Sequence, residues 1–212
     1  MTTFPSISVI VICRNAAAFI EGCLTSIRRQ THSLHEIIVV DGHSTDGTRQ
    51  WLEFQSDIHL LQQQGTGIAN ARNRGIEAAT GDIIAFLDAD DTWTSNKTAL
   101  QVDYLVQNPA ANVVTGLLQK STEERLYTAL TPGGCCFRRE VFNTIGHFNE
   151  TLVVAADHEW FIRAKRKGEE VRKMDELVLH KTMHDRNMSI VRQDIYRREL
   201  LELFVSSQNP TP

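Results

Sequence analysis

Three aspartates, Asp88, Asp90 and Asp91, fall within four consecutive residues, directly after an apolar run at residues 83–87. Carboxylates this close repel one another and raise each other's pKa unless a positive charge lies among them. A divalent cation would supply that charge, since carboxylate oxygens are the ligands that Mg²⁺ and Mn²⁺ prefer. The residues alone leave a second interpretation open, in which the aspartates form a solvated acidic turn that caps the next helix.

Apolar runs of the same kind precede these aspartates along the chain. Residues 6–13 and 36–40 are rich in β-branched side chains, which is typical of buried strands. Each is followed by a helical pattern, and Asn15 is placed to cap the first helix. The alternation of strands and helices with short loops predicts right-handed βαβ units and a parallel sheet. Because ligands bind outside the carboxyl ends of such strands, the acidic cluster is predicted to be a metal–phosphate site.

The remaining elements follow from periodicity and from turn residues. We predict a strand at residues 58–61 and a helix at 68–79 before the acidic cluster. After the cluster, we predict a helix at 96–107, capped by Thr94 or Ser95, and further helices at 139–145, 156–167 and 190–205. We also predict a strand at 113–118 that pairs with 125–130, a loop at 132–134, and at least one strand within 171–184.

The composition is that of an ordinary globular protein. The chain has 212 residues, of which 42% are hydrophobic and 23% charged, and its net charge of -4 gives no general attraction to nucleic acid. No apolar run reaches membrane-spanning length, and the first six residues do not resemble a signal peptide. The basic run at 163–167 is best explained as a solvated helix end, although a peripheral membrane contact stays open. Four cysteines without metal-binding spacing favour a reduced, cytoplasmic protein.

Six segments, in this order and at these intervals, resemble the motifs of the family 2 glycosyltransferases with the GT-A fold. They are Arg14-Asn15 after the first strand and residues 38–48, 67–76, 86–91, 155–163 and 184–189. The resemblance implies an α/β GT-A fold, with a mostly parallel central sheet flanked by helices in a single domain at residues 1–206. It further implies a nucleotide-binding half at 1–93, an acceptor-side half at 94–189, a C-terminal helix at 190–206 and a flexible tail at 207–212.

The same resemblance implies an inverting glycosyltransferase that moves a sugar from a nucleotide-diphosphate donor, with UDP as the expected carrier, to an acceptor hydroxyl. The acceptor is expected to be a glycan, a lipid-linked group or a small molecule. Mn²⁺ or Mg²⁺ would stabilise the leaving diphosphate, and a carboxylate would take the proton of the hydroxyl. The implied metal ligands are Asp90, Asp91 and His184, the implied contacts to the nucleotide-sugar are Asn15, Asp41, Arg72 and Asp88, and the implied general base is Asp157.

The chain departs from the family pattern at two of these motifs. Gly42 replaces the second aspartate that usually follows the second strand, and His43 takes a position where glycine is usual. Ala156 replaces the acid that commonly precedes the catalytic aspartate, so Asp157 is the only residue there that matches the base.

Three of the implied site residues also have structural interpretations. Arg72 could form an ion pair with an aspartate at a strand end, Asp157 could cap the helix that follows it, and His184 could be a packing residue. If Asp157 is not the base, Glu159 is the next carboxylate to consider.

Two other functions compete with glycosyl transfer. A sugar nucleotidyltransferase shares a similar fold, but it places a glycine-rich loop after the first strand, and residues 13–18 contain no glycine. A non-catalytic relative that only binds nucleotide-sugars is disfavoured because Asp88, Asp90, Asp91 and Asp157 are all present.

Overall fold

The computed structural model describes residues 5–208, apart from the side chains of residue 189 and residues 206–208. Strands and helices alternate through the first half and are less regular in the second. The strands are β1 (Ile7–Cys13), β2 (Glu36–Asp41), β3 (His59–Gln62), β4 (Ile83–Asp88), β5 (Thr92–Trp93), β6 (Val113–Lys120), β7 (Leu126–Thr128), β8 (Cys135–Arg138) and β9 (Val171–Lys181). The helices are α1 (Ile20–Arg28), α2 (Thr48–Glu53), α3 (Gly67–Ala78), α4 (Lys97–Gln107), α5 (Val141–Ile145), α6 (Ala156–Arg166), α7 (Met188–Val191) and α8 (Gln193–Gln208).

The first four strands form the parallel sheet that the sequence predicts. Their order is β3-β2-β1-β4, and every pairing within it is parallel. The register aligns Cys13 with Asp41 on one side of β1, and Ile12 with Asp88 on the other. Two acidic residues far apart in sequence therefore reach the same edge of the sheet.

Beyond β4 the sheet is mixed. β8 runs antiparallel to both β4 and β6, β7 is antiparallel to β6, and β5 is antiparallel to β9. β9 is parallel to β6 and carries the chain from the far side of the sheet back toward the acidic cluster. The parallel arrangement thus holds for the first half of the chain. The strands of the second half extend the same sheet beyond β4.

Helices cover both faces of the sheet because the strand side chains alternate between two cores. Val9 and Val11 of β1 pack with α1, α2 and α4, whereas Ile10 between them packs with α3, α5 and α6. The neighbouring cysteines of β8 divide in the same way, with Cys136 in the first core and Cys135 in the second. The strands are apolar on both sides for this reason.

All four cysteines are unpaired and buried. Burial raises the pKa of each thiol above its ordinary value, most strongly for Cys13 and Cys23. The thiols are therefore packing groups. Within residues 5–208, none of the helices combines the length and the apolar character that crossing a membrane requires.

Most predicted elements are present, but both predicted helix caps are wrong. Asn15 lies five residues before α1 begins at Ile20, and its side-chain oxygen accepts the Thr45 N–H at 2.8 Å instead. Neither Thr94 nor Ser95 is the N-cap of α4, which is Asn96; the Thr94 hydroxyl donates to the carbonyl of Leu177. In both cases the side chain bonds to a backbone group distant in sequence and not to the N–H groups of the helix that follows it.

Two short strands, β5 and β8, were not predicted. β5 has only two residues, too few for any periodicity, and β8 follows directly on the Pro132–Gly134 turn; both pair with longer strands that are distant in sequence. The predicted helix at 190–205 is present as α7 and α8. Within the predicted tail at 207–212, α8 continues to Gln208 and residues 209–212 lie outside the described part. The boundaries proposed for the two halves stay predictions.

Gly75 allows α3 to lie directly on β1, and this contact provides a test of the packing. A Cβ at Gly75 would collide with the fully buried side chain of Ile10. We expect Gly75→Ala to lower the free energy of unfolding by about 1–3 kcal/mol, despite the better helix propensity of alanine. Urea denaturation measures the change.

Gly22→Ala is the matched control, because a Cβ at this helical glycine of α1 would have no heavy atom within 4 Å apart from the adjacent backbone of its own helix. It should raise the free energy of unfolding by about 0.5–1 kcal/mol. Equal effects of the two substitutions would contradict the close packing of α3 on β1.

Candidate functional site

The three aspartates form one cluster at the carboxyl end of β4. Asp88 is the last residue of the strand, and a tight turn follows in which the Asp91 N–H donates to the Asp88 carbonyl at 3.0 Å. One carboxylate oxygen of each aspartate lies within 4.8 Å of those of the other two. This spacing and the oxygen-only donor set suit a hard divalent cation.

Asp91 is the buried member of the cluster. One of its oxygens accepts the Thr182 N–H at 2.9 Å, and the other accepts a hydrogen bond from Lys181 Nζ at 3.3 Å. Burial raises the pKa of Asp91 to about 7; Lys181 opposes this shift, and the other two aspartates reinforce it. Burial alone would lower the pKa of Lys181, but the three aspartates outweigh it and raise the pKa. A bound cation would favour the ionised form of Asp91 and offset the repulsion among the three carboxylates.

Asp90 faces the loop between β9 and α7. Its Oδ2 lies 3.0 Å from His184 Nε2 and accepts a hydrogen bond from Asn187 Nδ2 at 3.1 Å. The His184 ring stacks on Phe19, with ring centroids 4.9 Å apart. The backbone N–H of His184 donates to Asn187 Oδ1 at 2.7 Å. The loop thus brings His184 to the acidic cluster, as the resemblance implies, although 94 residues separate it from Asp90.

Arg72 links the acidic cluster to α6. Its side chain is only 2% exposed; Nη2 donates to Asp88 Oδ1 at 3.1 Å, and Nη1 lies 3.6 Å from Asp157 Oδ2. Burial would raise the pKa of Asp88, but the charges of Arg72 and Lys181 lower it below its ordinary value. The predicted ion pair with a strand-end aspartate is therefore present. Nε and Nη1 of Arg72 are buried without a hydrogen-bond partner, a deficit that an anionic ligand could satisfy.

Asp157 lies in the first turn of α6, where the N-cap residue is Ala155. The structural interpretation of Asp157 as a helix cap is thus wrong. The other carboxylate of this turn, Glu159, bonds to the Arg163 guanidinium at 2.8 and 2.9 Å. Trp160 is fully buried in the core and donates from Nε1 to the Gly146 carbonyl at 2.8 Å. Of these residues, Asp157 alone is directed at Arg72.

Asp41 and Asn15 meet in a second region, at the end of β2. Asp41 is fully buried, and its carboxylate accepts the Ser44 N–H at 3.2 and 3.3 Å. Asn15 bonds to the same loop, because its backbone N–H donates to Ser44 Oγ at 2.9 Å. Gly42 lies in a tight position here, since a Cβ would lie 2.9 Å from Gln63 Oε1 and 3.3 Å from the Cys13 carbonyl oxygen. Asn15 and Asp41 therefore both bond to Ser44. Asp41 lies on the opposite side of β1 from the acidic cluster.

Two residues of the site, Lys181 and Asn73, were missed by sequence reasoning. Lys181 contacts an aspartate 90 residues away, so no local pattern could identify it. The Asn73 amide donates to the Phe148 carbonyl at 2.9 Å and to Glu150 at 2.8 Å, and accepts the Phe148 N–H at 2.9 Å. The one sequence feature that could have identified Asn73 is its position next to Arg72 in the segment at 67–76. Asn73 thereby fixes α3 to the loop that leads to α6.

Comparison with solved structures identifies the fold. Mannosyltransferase PcManGT from Pyrobaculum calidifontis, solved with GDP-Man and Mn²⁺, superimposes with a TM-score of 0.76 at 24% identity, over 100% of this chain and 66% of that one. TarS from S. aureus superimposes with a TM-score of 0.74 at 19% identity, over 90% of this chain and 39% of TarS. Both are GT-A proteins, and the predicted fold class is confirmed.

Sequence comparison identifies relatives. In Mycobacterium tuberculosis, the PGL/p-HBAD biosynthesis glycosyltransferase is 33% identical over 177 residues, which cover 75% of this chain and 69% of that protein. The Escherichia coli enzyme WfgD, a UDP-Glc:alpha-D-GlcNAc-diphosphoundecaprenol beta-1,3-glucosyltransferase, is 39% identical over 105 residues, covering 48% of this chain and 42% of WfgD. TuaG of Bacillus subtilis is 38% identical over 117 residues, so the match spans less than half, 46%, of its length.

The sequence profile described as "Glycosyl transferase family 2" matches residues 8–168. These residues include all but the first residue of β1, the acidic cluster, Arg72 and Asp157. The chain therefore belongs to glycosyl transferase family 2.

Proposed function

We propose that this protein is an inverting, metal-dependent glycosyltransferase that moves a sugar from a UDP-sugar to an acceptor hydroxyl. The observation that carries the proposal is the position of Arg72, which bonds to Asp88 at 3.1 Å and lies 3.6 Å from Asp157. In this reaction the acceptor oxygen forms a bond to sugar C1 while the bond between C1 and the diphosphate breaks, so the diphosphate leaves with negative charge and the acceptor hydroxyl must lose its proton. One guanidinium between an acidic cluster and a separate carboxylate provides a place for each of these partners.

The acidic cluster would hold the cation, and a Mn²⁺-bound neighbour of the same fold supports divalent metal use. Asp90 and His184 are the leading ligands, because they lie together on the partly exposed side of the cluster, with Asp90 Oδ2 3.0 Å from His184 Nε2, whereas Asp91 is buried. Asp91, also assigned to the metal from the sequence, would complete the site or hold its geometry. When bound, Mn²⁺ or Mg²⁺ would act as a Lewis acid on the departing diphosphate.

Arg72 and Asp88 would bind the donor. The two unpartnered nitrogens of Arg72 are donors that phosphate or sugar oxygens can satisfy. Because the pKa of Asp88 is lowered, its carboxylate stays ionised and can accept a hydrogen bond from a hydroxyl of the ribose or the sugar. Asp41 would accept from the imide N–H of uracil, and Asn15 would hold the same loop in place.

Asp157 would be the general base. Its carboxylate lies at the start of α6 and is 21% exposed, so an acceptor can reach it. Glu159 is less suited to this role, because its two oxygens are paired with Arg163. The acceptor would be a glycan, a lipid-linked group or a small molecule whose hydroxyl lies between Asp157 and the sugar. WfgD, whose name specifies a lipid-diphosphate-linked sugar as acceptor, supports the lipid-linked class.

Metal dependence is tested by melting temperature and by activity. Mn²⁺ with UDP-sugar should raise the melting temperature, since binding to the native state stabilises it, and EDTA should remove both this increase and transfer. Asp90→Asn should remove the Mn²⁺-dependent part of the increase in melting temperature. Asp103 is an exposed aspartate of α4, and Asp103→Asn should leave that increase unchanged. Full transfer by Asp90→Asn in EDTA would exclude a metal-dependent reaction.

The role of Asp41 is tested by calorimetry of UDP without metal. Removing an acceptor that bonds to the base should weaken binding by about 1.5–3 kcal/mol in Asp41→Ala. Asp46→Ala is the control, because Asp46 accepts the Thr48 and Ala17 N–H groups of the same region without lying at the end of β2. Equal losses in both variants would show that Asp41 acts only by shaping the loop.

The role of Asp157 is tested by Asp157→Asn, which preserves the shape of the side chain but cannot accept a proton. We expect the transfer rate to fall by about 10²- to 10⁴-fold, with UDP-sugar affinity and melting temperature nearly unchanged. The matched control is Asp175→Asn, an exposed aspartate of β9. Transfer by Asp157→Asn at the wild-type kcat would place the base elsewhere, with Glu159 the next residue to substitute.

A further inference from the structure

The segment that leads into α6 is held by a residue of the C-terminal helix. Glu199 of α8 is 4% exposed, and its carboxylate points into the backbone of residues 153–155. Oε1 accepts the Val153 N–H at 2.7 Å, and Oε2 accepts the Val154 and Ala155 N–H groups at 3.0 and 2.8 Å. A single carboxylate thus bonds to three consecutive backbone N–H groups immediately before the helix of Asp157.

These hydrogen bonds fix the backbone at the entrance to α6, a helix that has no side-chain cap of its own. The first N–H groups of a helix have no partner within the helix, and a side chain at the N-cap usually satisfies one of them. In α6 the N-cap is Ala155, which has no acceptor. Glu199, 44 residues later, accepts the N–H of Ala155 itself and so holds the backbone at the point where α6 begins. Its negative charge also lies at the positive end of the α6 dipole.

The carboxylate is ionised in this position. Burial would raise the pKa of Glu199, but the N–H groups of Val153, Val154 and Ala155 outweigh it and lower the pKa. Charge-assisted bonds of this kind are stronger than those between neutral groups. Glu199 is therefore a strong anchor for the segment.

A second residue of α8 contacts the segment on the other side of Asp157. Tyr196 lies one turn before Glu199, and its hydroxyl lies 3.2 Å from Nε2 of His158. The two rings meet edge to face with centroids 5.5 Å apart. Helix α8 thus contacts the residues before Asp157 through Glu199 and the residue after it through Tyr196.

The loop that ends in residues 153–155 is also attached to α3, the helix that carries Arg72. Glu150 accepts hydrogen bonds from Asn70 at 2.9 Å and from Asn73 at 2.8 Å, both on the helix that carries Arg72. The loop at 146–155 is therefore fixed to α3 at its beginning and to α8 at its end. The position of Asp157 relative to Arg72 depends on both attachments.

We propose that Glu199 is a positioning residue for glycosyl transfer, which fixes residues 153–155 so that Asp157 faces Arg72 and the acceptor. This inference rests on the proposed role of Asp157 as general base. Small displacements of a reacting group are costly, since a shift of about 1 Å can lower a rate by about 10²-fold. Helix α8, which contributes none of the implied site residues, thereby becomes part of the catalytic apparatus.

The test uses Glu199→Gln, which keeps the shape but replaces one acceptor oxygen with an NH₂ group. The transfer kcat should fall by about 10- to 100-fold, with KM and affinity for UDP-sugar within about twofold, because the donor contacts lie on other elements. Asp194→Asn, an exposed aspartate of the same helix, is the control for the loss of charge and should leave kcat unchanged. An unchanged kcat in Glu199→Gln would overturn the proposal.

A double variant separates positioning from a general effect on folding. If Glu199 acts through Asp157, Glu199→Gln should cost no further rate in the Asp157→Asn background. The same fold-loss in both backgrounds would show that Glu199 acts independently of Asp157 and would overturn the proposal. Glu199→Asp, which keeps both oxygens, should recover part of the rate that Glu199→Gln loses.

Hydrogen exchange provides a measurement that does not depend on activity. The amides of residues 153–155 should exchange faster in Glu199→Gln than in the wild type and Asp194→Asn. Unchanged exchange would overturn the anchoring itself. If exchange accelerates while Asp157→Asn is fully active, the anchoring stands, and the failure belongs to the proposed base.

Discussion

A buried guanidinium is the constraint on which this site depends. An uncompensated charge in the interior costs several kcal/mol, so Arg72 requires carboxylates close to it. It contacts Asp88 at the end of β4 and Asp157 at the start of α6, and α3 carries it between them. The sheet, the helix on its face and the second half of the chain must therefore keep one relative position for the charge to be balanced.

The parallel sheet explains why the acidic residues gather at one edge. In β2 and β4, buried apolar residues are followed by an aspartate as the last residue of the strand. Since both strands are parallel to β1, their carboxyl ends lie side by side. The sequence alone therefore sufficed to predict the parallel half and the acidic cluster, because strand periodicity and the type of the last residue are local properties.

The residues that complete the site could not be read from the chain in this way. Lys181 and Glu199 are single charged residues in ordinary surroundings, and what they do is decided by which distant backbone or carboxylate they meet. The same reason explains the error at Asn15, whose side chain bonds to Thr45 on a neighbouring loop and not to the helix that follows it. Local patterns identify candidates for a hydrogen bond, but the tertiary fold selects among them.

The neighbouring thiols of β8 give this protein an internal reporter of its own unfolding. Cys135 and Cys136 adjoin in the chain, yet each sulfur is buried in a different core, one on either face of the sheet. Neither sulfur can react with an alkylating reagent until the helices that cover its face of the sheet separate from the sheet. The order in which the two sulfurs become modified would therefore record which helical layer opens first, with no label introduced into the chain.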